Sequence, residues 1–211
     1  MRGSSKAGTV NQMTEAKRSL EAMHPGAVAP NKLAHFVVRT NDLAASRHWY
    51  LTVLAGQVAF ENAMCCFLTY DDEHHRVGLI KMGDLEAPQA HTVGVDHIAF
   101  TFSELSELLA TYKRLERADI RPYWCIIHGP TVSMYYRDPQ GVAVELQYDV
   151  FRTTAEVEAF FAAGNYEENF IGVVFEPGEM IARFENGEPL SEIVKRPRLP
   201  PGVTPFDMIR T

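Results

Sequence analysis

The stretch Thr131–Asp149, TVSMYYRDPQGVAVELQYD, decides how the rest of the chain is read. It opens with β-branched, aromatic and thioether residues (Thr131, Val132, Met134, Tyr135, Tyr136), which favour a strand. Arg137-Asp138-Pro139-Gln140-Gly141 follows, placing proline and glycine where a tight turn needs a fixed φ and a positive φ. A second strand runs from Val142 to Tyr148. Side chains alternate along it, so Glu145 shares a face with Ala143 and Gln147, while Val144, Leu146 and Tyr148 share the other. Taken alone, Glu145 reads as a solvent-facing glutamate, because an unpaired buried carboxylate is expensive. Two histidines placed similarly upstream supply a reason for it to face inward.

Working outward, one order of elements is found twice. Lys32–Thr40 (KLAHFVVRT) reads as a strand carrying His35. Asn41-Asp42 caps a helix from about Leu43 to Leu54, closed by Gly56. Strands follow at Val58–Glu61, Ala63–Tyr70 and His75–Lys81, with Asp71-Asp72-Glu73 as a turn. Gly94–Phe102 (GVDHIAFTF) then reads as a strand carrying His97. Ser103 caps a helix from Glu104 to Ala118, whose Leu105, Leu108, Leu109, Tyr112 and Leu115 share one face. Strands recur at Pro122–Ile127, Thr131–Arg137 and Val142–Tyr148. The chain therefore predicts an α+β fold of two tandem βαβββ modules, 32–81 and 94–149, joined by a linker over 82–93. Laying LAHFVVRT on VDHIAFTF puts His35 on His97, which an internal duplication explains.

The flanks are less informative. Residues 1–31 read as a small, polar tail and a helix, Asn11–Met23, ended by His24-Pro25-Gly26. Residues 150–211 read as a helix, Thr153–Ala163, and then a charged, Pro-rich, weakly periodic arm from Glu176. That arm wraps the domain or contacts a partner.

The 211 residues suit one domain with appendages, and 46% hydrophobic with 22% charged residues is ordinary for a globular enzyme. A net charge of −7 argues against nucleic acid, whose phosphates require clustered cations. No apolar run spans a bilayer and no signal-peptide core is evident, so neither membrane nor export is expected. Cys65, Cys66 and Cys125 read as reduced core thiols of a cytoplasmic protein.

A lone histidine in an apolar strand is ordinarily a core residue. Two at duplicated positions, joined by a glutamate on the last strand, make a different set. His35, His97 and Glu145 supply two imidazoles and a carboxylate, the facial triad that leaves three octahedral positions open; it suits Fe(II) and also fits Mn(II).

With LAHFVV, GVDHIAFTF and SMYYRDPQGVAVELQYD in view, the chain resembles the vicinal oxygen chelate superfamily. That superfamily includes glyoxalase I, fosfomycin-resistance proteins, methylmalonyl-CoA epimerase and the type I extradiol dioxygenases. The resemblance spans roughly residues 32–149 and implies paired modules forming an open barrel around a metal. Three further residues point within it to the extradiol dioxygenases. Those enzymes have a histidine at the place of His75 after a polar turn, a histidine at the place of His128 and a tyrosine at the place of Tyr135. The implied activity is Fe(II)-dependent cleavage of a catechol-type diol with O2. In that role His75 exchanges a proton to help O–O cleavage, and His128 and Tyr135 hydrogen-bond the substrate oxygens. Phe67, Phe100 and Trp124, with Ile126 and Phe170, are candidates for the cavity wall. Thr131 or Ser133 stands where larger relatives often carry an acidic residue. The resemblance also implies association between copies, for which the C-terminal arm is a candidate contact. The alternatives on this scaffold are a divalent-metal lyase, isomerase or epimerase, and a protein that binds a small aromatic ligand without turnover.

Overall fold

The computed structural model describes residues 23–24, 26–89 and 92–210. The predicted helix Asn11–Met23 lies outside them except for Met23. The chain divides after Leu33, and both modules and the C-terminal segment belong to the unit that starts at Ala34.

The first module is β1 (Phe36–Thr40), α1 (Leu43–Leu54), β2 (Gln57–Glu61), β3 (Cys65–Thr69) and β4 (Val77–Lys81). The second repeats it as β5 (His97–Phe102), α2 (Leu105–Arg117), β6 (Trp124–Ile127), β7 (Thr131–Arg137) and β8 (Ala143–Asp149). Their sheets have matching orders, β1-β4-β3-β2 and β5-β8-β7-β6. In each, the first strand pairs parallel with the last, and the other pairings are antiparallel. β1 and β5 are thus edge strands, and the ring centroids of their Phe36 and Phe100 lie 5.9 Å apart.

Burial follows strand alternation. On the first sheet Val38, Cys66, Leu68, Val77 and Leu79 are buried on the side where α1 packs. On α2, Leu105, Leu108 and Leu115 are almost wholly buried, as the helical spacing predicts. Asp42 caps α1 by accepting from the Ala45 N–H at 2.9 Å. The left-handed residue that ends α1 is Ala55 (φ 52°), not Gly56 as expected. Gly56 is needed for a different reason: a Cβ there would lie 2.7 Å from the Thr69 carbonyl oxygen. At α2, Glu104 takes the cap position expected of Ser103, and Glu107 Oε2 accepts from its backbone N–H at 3.1 Å.

The RDPQG turn also ties the two modules together. Asp138 Oδ1 accepts from the backbone N–H groups of Gln140 and Val142, each at 2.8 Å, and Gly141 takes φ 86°. The buried Tyr50 hydroxyl of α1 donates to Asp138 Oδ2 at 3.2 Å.

The C-terminal segment is more ordered than its sequence suggests. α3 (Thr154–Ala162) and α4 (Asn165–Glu168) lead to β9 (Val173–Val174), which pairs with β6 and adds a fifth strand to the second sheet. α5 (Pro177–Glu185) and α6 (Leu190–Ile193) then place Met180, Ile193 and Val194 in the main core. Nine residues of helix show too few turns for periodicity to stand out, which is why α5 escaped the sequence reading. Among the described residues no helix is long and apolar enough to cross a membrane. Cys65, Cys66 and Cys125 are free thiols.

Candidate active site

Glu145 stands at the middle of β8, opposite Ala99 of β5 and Tyr135 of β7. Alternation puts His97, Ser133, Tyr135, Glu145 and Trp124 on one face of the second sheet. Glu145 is buried rather than solvent-facing, and it is not alone. Its Oε2 lies 2.9 Å from His97 Nε2, while His97 Nδ1 lies 2.7 Å from Asp96 Oδ2. Both partners are carboxylates and can only accept, so each His97 nitrogen carries a proton and the ring is an imidazolium. The hydrogen bond to Glu145, working against burial, lifts His97 to about 9. Burial pushes the Glu145 carboxyl up. Hydrogen bonds with His97 and Ser133 outweigh that and leave it below the usual carboxylate range.

His128 follows β6 and turns back onto the same face. Its Nδ1 meets the backbone carbonyl of Ile171, and its Nε2 lies 3.0 Å from the Tyr135 hydroxyl. A carbonyl only accepts, so Nδ1 holds the proton, and in the neutral ring Nε2 is left as an acceptor for Tyr135. Burial holds His128 below the ordinary histidine value. Burial, and then the charge of Glu145, push the Tyr135 phenol far above its usual range, so it stays a donor. Trp124 stacks on Tyr135 (4.7 Å, 30°) and donates from Nε1 to the Met208 carbonyl at 2.8 Å.

The first sheet assembles a second group. His35 and His75 were expected inside strands, but pairing begins at Phe36 and Val77, so both lie just outside. Strand alternation would have put His75 beside Val77 and Leu79, on the buried helix side. Its ring instead stacks on Phe67 (4.6 Å, 16°) and lies 4.2 Å from the His35 ring, on the other side of the sheet. Gly78 lines that side, where an added Cβ would come within 3.2 Å of Val37 Cγ2 and 3.7 Å of Phe67 Cδ1. The neighbouring His74 lies against His75, the two Nδ1 atoms 2.5 Å from each other. Burial, then His35 and His74, hold His75 below the ordinary histidine value.

The structure thus joins His97, Glu145, Tyr135, His128 and Trp124 on one sheet, and His35, His75 and Phe67 on the adjoining one. Among the described residues no three His, Cys, Asp or Glu side chains come close enough together to hold an ion. The donors nevertheless fit a divalent metal in kind: an imidazole and a carboxylate converge at 2.9 Å, and the third candidate stands beside the adjoining edge strand. Phe100 alternates to the face of β5 opposite His97 and packs against Phe36 and Tyr70, away from this row. Thr131 lies in the row, and its hydroxyl oxygen is 3.0 Å from that of Ser133. Ile126 packs in a small cluster with Tyr135 and Met208, and Phe170 contacts Phe206.

Sequence reasoning passed over Asp96, and it named Ser133 only as an alternative to Thr131, without its contact to Glu145. Asp96 directly precedes His97, and adjacency was a usable signal; Ser133 required the register. The contacts of Ile171 and Met208 were invisible, since backbone carbonyls leave no trace in residue identity.

Paired βαβββ modules with an imidazole–carboxylate meeting at one sheet edge are the architecture of a known superfamily. The chain belongs to it: the glyoxalase/bleomycin resistance protein/dioxygenase superfamily pattern matches residues 32–146. The chain is 42% identical over 167 residues to biphenyl-2,3-diol 1,2-dioxygenase 3 of Rhodococcus globerulus, covering 78% of this chain and 88% of that one. It is 40% identical over 166 residues to biphenyl-2,3-diol 1,2-dioxygenase 2 of the same organism, covering 78% and 87%. The crystal structure of a glyoxylase/bleomycin resistance protein/dioxygenase domain from a Frankia species superposes with a TM-score of 0.50 at 15% identity. It covers 61% of this chain and 99% of that one, and shows the shared fold.

Proposed function

We propose that this chain is a metal-dependent extradiol dioxygenase that opens a vicinal aromatic diol, such as biphenyl-2,3-diol, with O2. The observation that carries the reading is the 42% identity across 88% of a biphenyl-2,3-diol 1,2-dioxygenase. His35, His97 and Glu145 are the proposed ligands, with Fe(II) as the metal and Mn(II) as the alternative. When bound, the metal supplies a centre at which diol oxygens and O2 meet. In the net reaction a ring C–C bond beside the diol breaks and both atoms of O2 enter the product.

The protein's own groups handle protons and orientation. Asp96 accepts from His97 Nδ1–H and so aims Nε2 toward Glu145. Tyr135, kept protonated, donates to His128 Nε2 in this structure and can turn its O–H to a diol oxygen when substrate is bound, which opens Nε2. His128, with Nδ1–H committed to Ile171, presents Nε2 as an acceptor for a diol proton. His75, held neutral between His35 and Phe67, can take and return a proton near pH 7.

The His97–Glu145 pair sets a pH dependence. A metal needs the unprotonated Nε2, so below about 9 binding displaces one proton. Apparent affinity should therefore rise about tenfold per pH unit up to that value, one proton being released per ion. Calorimetry in buffers of different ionisation enthalpy counts the protons, and none released near pH 7 would remove His97 from the ligands. For folding without metal the sign is opposite. The pair raises His97 in the folded state, so its contribution is complete below the ordinary value of about 6.5 and is lost as pH rises through about 9.

Tyr135→Phe removes one hydroxyl and little volume. It should keep metal and fold, yet slow turnover by about ten- to a thousandfold; steady-state kinetics at matched metal content checks this. The function itself is tested by anaerobic Fe(II) reconstitution followed by oxygen uptake with a catechol panel. A ring-cleaving enzyme consumes one O2 per diol. A lyase, isomerase or epimerase consumes none, and a binding protein leaves the diol unchanged.

A further inference from the structure

The C-terminal segment reaches into the site through one side chain. Arg196 Nη1 donates to the backbone carbonyls of His128 (2.9 Å) and Asn169 (2.7 Å), and Nη2 donates to that of Asn165 (2.8 Å). The guanidinium also lies 5.3 Å from the centroid of the Phe160 ring. The buried Asn169 then organises the next turn. Its Oδ1 accepts from Ile171 N–H (3.1 Å) and Gly172 N–H (2.8 Å), and its Nδ2 donates to the Gly172 carbonyl (2.8 Å). That turn aims the Ile171 carbonyl at His128 Nδ1. A run of hydrogen bonds therefore extends from Arg196 through Asn169 and Ile171 to His128, and on to the Tyr135 hydroxyl.

The fit around His128 is tight on both sides. A Cβ on Gly172 would come within 3.0 Å of His128 Cα and 2.5 Å of the Ile127 carbonyl oxygen. A Cβ on Gly129 would strike the Phe160 ring. Neither glycine can be replaced without displacing backbone or an aromatic ring, so this segment is seated against the His128 backbone, not loosely draped over it.

We propose that Arg196 is a positioning residue for His128: with Asn169 it holds the Ile171 carbonyl against Nδ1, fixing the tautomer in which Nε2 is the acceptor, for the Tyr135 hydroxyl in this structure and for a substrate proton when the diol is bound. A planar guanidinium suits the task, since its fixed fork reaches three carbonyls that a single ammonium could not span equally. The proposal rests on His128 contacting substrate, as read above.

Arg196 also lines an open cavity of about 920 Å³ together with Gly129, Phe160, Asn165 and Asn169, so a small cation can reach its place from solvent. The test uses the full chain reconstituted with iron. Arg196→Ala should lower kcat/KM for the diol by about ten- to a hundredfold, the usual cost of losing a group that orients a site residue. KM should rise when rates are normalised to iron content. Added ethylguanidinium should recover part of the loss, and Arg196→Lys should lie between the two. In the metal-free protein, the ¹⁵N resonances of His128, identified by their absence in His128→Gln, should report Nδ1–H in the wild type. In Arg196→Ala they should move toward the average of the two tautomers. If Arg196→Ala does not fold, Asn169→Asp carries the same test, because it keeps volume and acceptor but loses the N–H given to Gly172. Unchanged His128 resonances and unchanged KM in a folded variant overturn the proposal. So does a fall in kcat that merely tracks lost folded protein and is not rescued. Normal turnover by His128→Gln would instead remove His128 from the site, and the nitrogen spectra would still decide whether Arg196 fixes its ring.

Discussion

Glu145→Gln is expected to strip the metal from the protein and, with it, the oxygen uptake. The substitution keeps the volume of the side chain but removes the negative charge that pairs with His97 at 2.9 Å. Losing an outer partner of a metal ligand typically costs about 10- to 100-fold, so losing a proposed ligand should exceed a hundredfold in affinity. His35→Ala and His97→Ala should do the same. The fold should persist in all three. Breaking a fully buried ion pair costs roughly 3–5 kcal/mol, but the His97 side chain is 32% exposed and its unpaired charge stays partly hydrated. His35 is exposed and lies outside β1, so its loss opens no cavity. Metal analysis beside circular dichroism separates the two effects. Full occupancy in any of the three removes that residue from the ligand set.

His75→Gln should retain metal and bind the diol, yet lose about a hundred- to ten-thousandfold in the steps after O2 binds, as expected of a positioned acid–base group. The His75 ring is placed for this role, lying between Phe67 and His35, beside a proposed ligand, and held below the ordinary histidine value. His74 is the natural control. It shares a hydrogen bond with His75, but its side chain is 69% exposed. Water can replace that bond, so His74→Gln should cost only about two- to tenfold. Single-turnover kinetics at matched iron content makes the comparison. Equal rates for His75→Gln and wild type would remove histidine acid–base chemistry from this position.

The fold was legible because it is written twice. The duplicated strand–helix–strand order, the His35 and His97 alignment and the RDPQG turn follow from alternation, capping and turn chemistry, and those are local. The pairing of His97 with Glu145 was legible only as a set of ligand types. That they meet depends on β5 pairing parallel with β8, a pairing between residues 46 positions apart in sequence. The side that His75 takes was not legible from alternation, because pairing begins at Val77 and the backbone before it turns the ring to the side opposite Val77 and Leu79. Phe100 went astray on a parity that the sequence did display, since it and His97 differ by three along one strand. The C-terminal segment was opaque because its contribution runs through backbone carbonyls and one arginine.

Opening of a diol ring with both atoms of O2 can be read directly from where the oxygen goes. The most direct measurement is the mass of the product formed from biphenyl-2,3-diol by the Fe(II)-reconstituted protein under ¹⁸O₂. A ring-opened product carrying two labelled oxygens is expected. A product with an intact ring, or a ring-opened one with a single labelled oxygen in conditions where exchange with water is controlled, would contradict it.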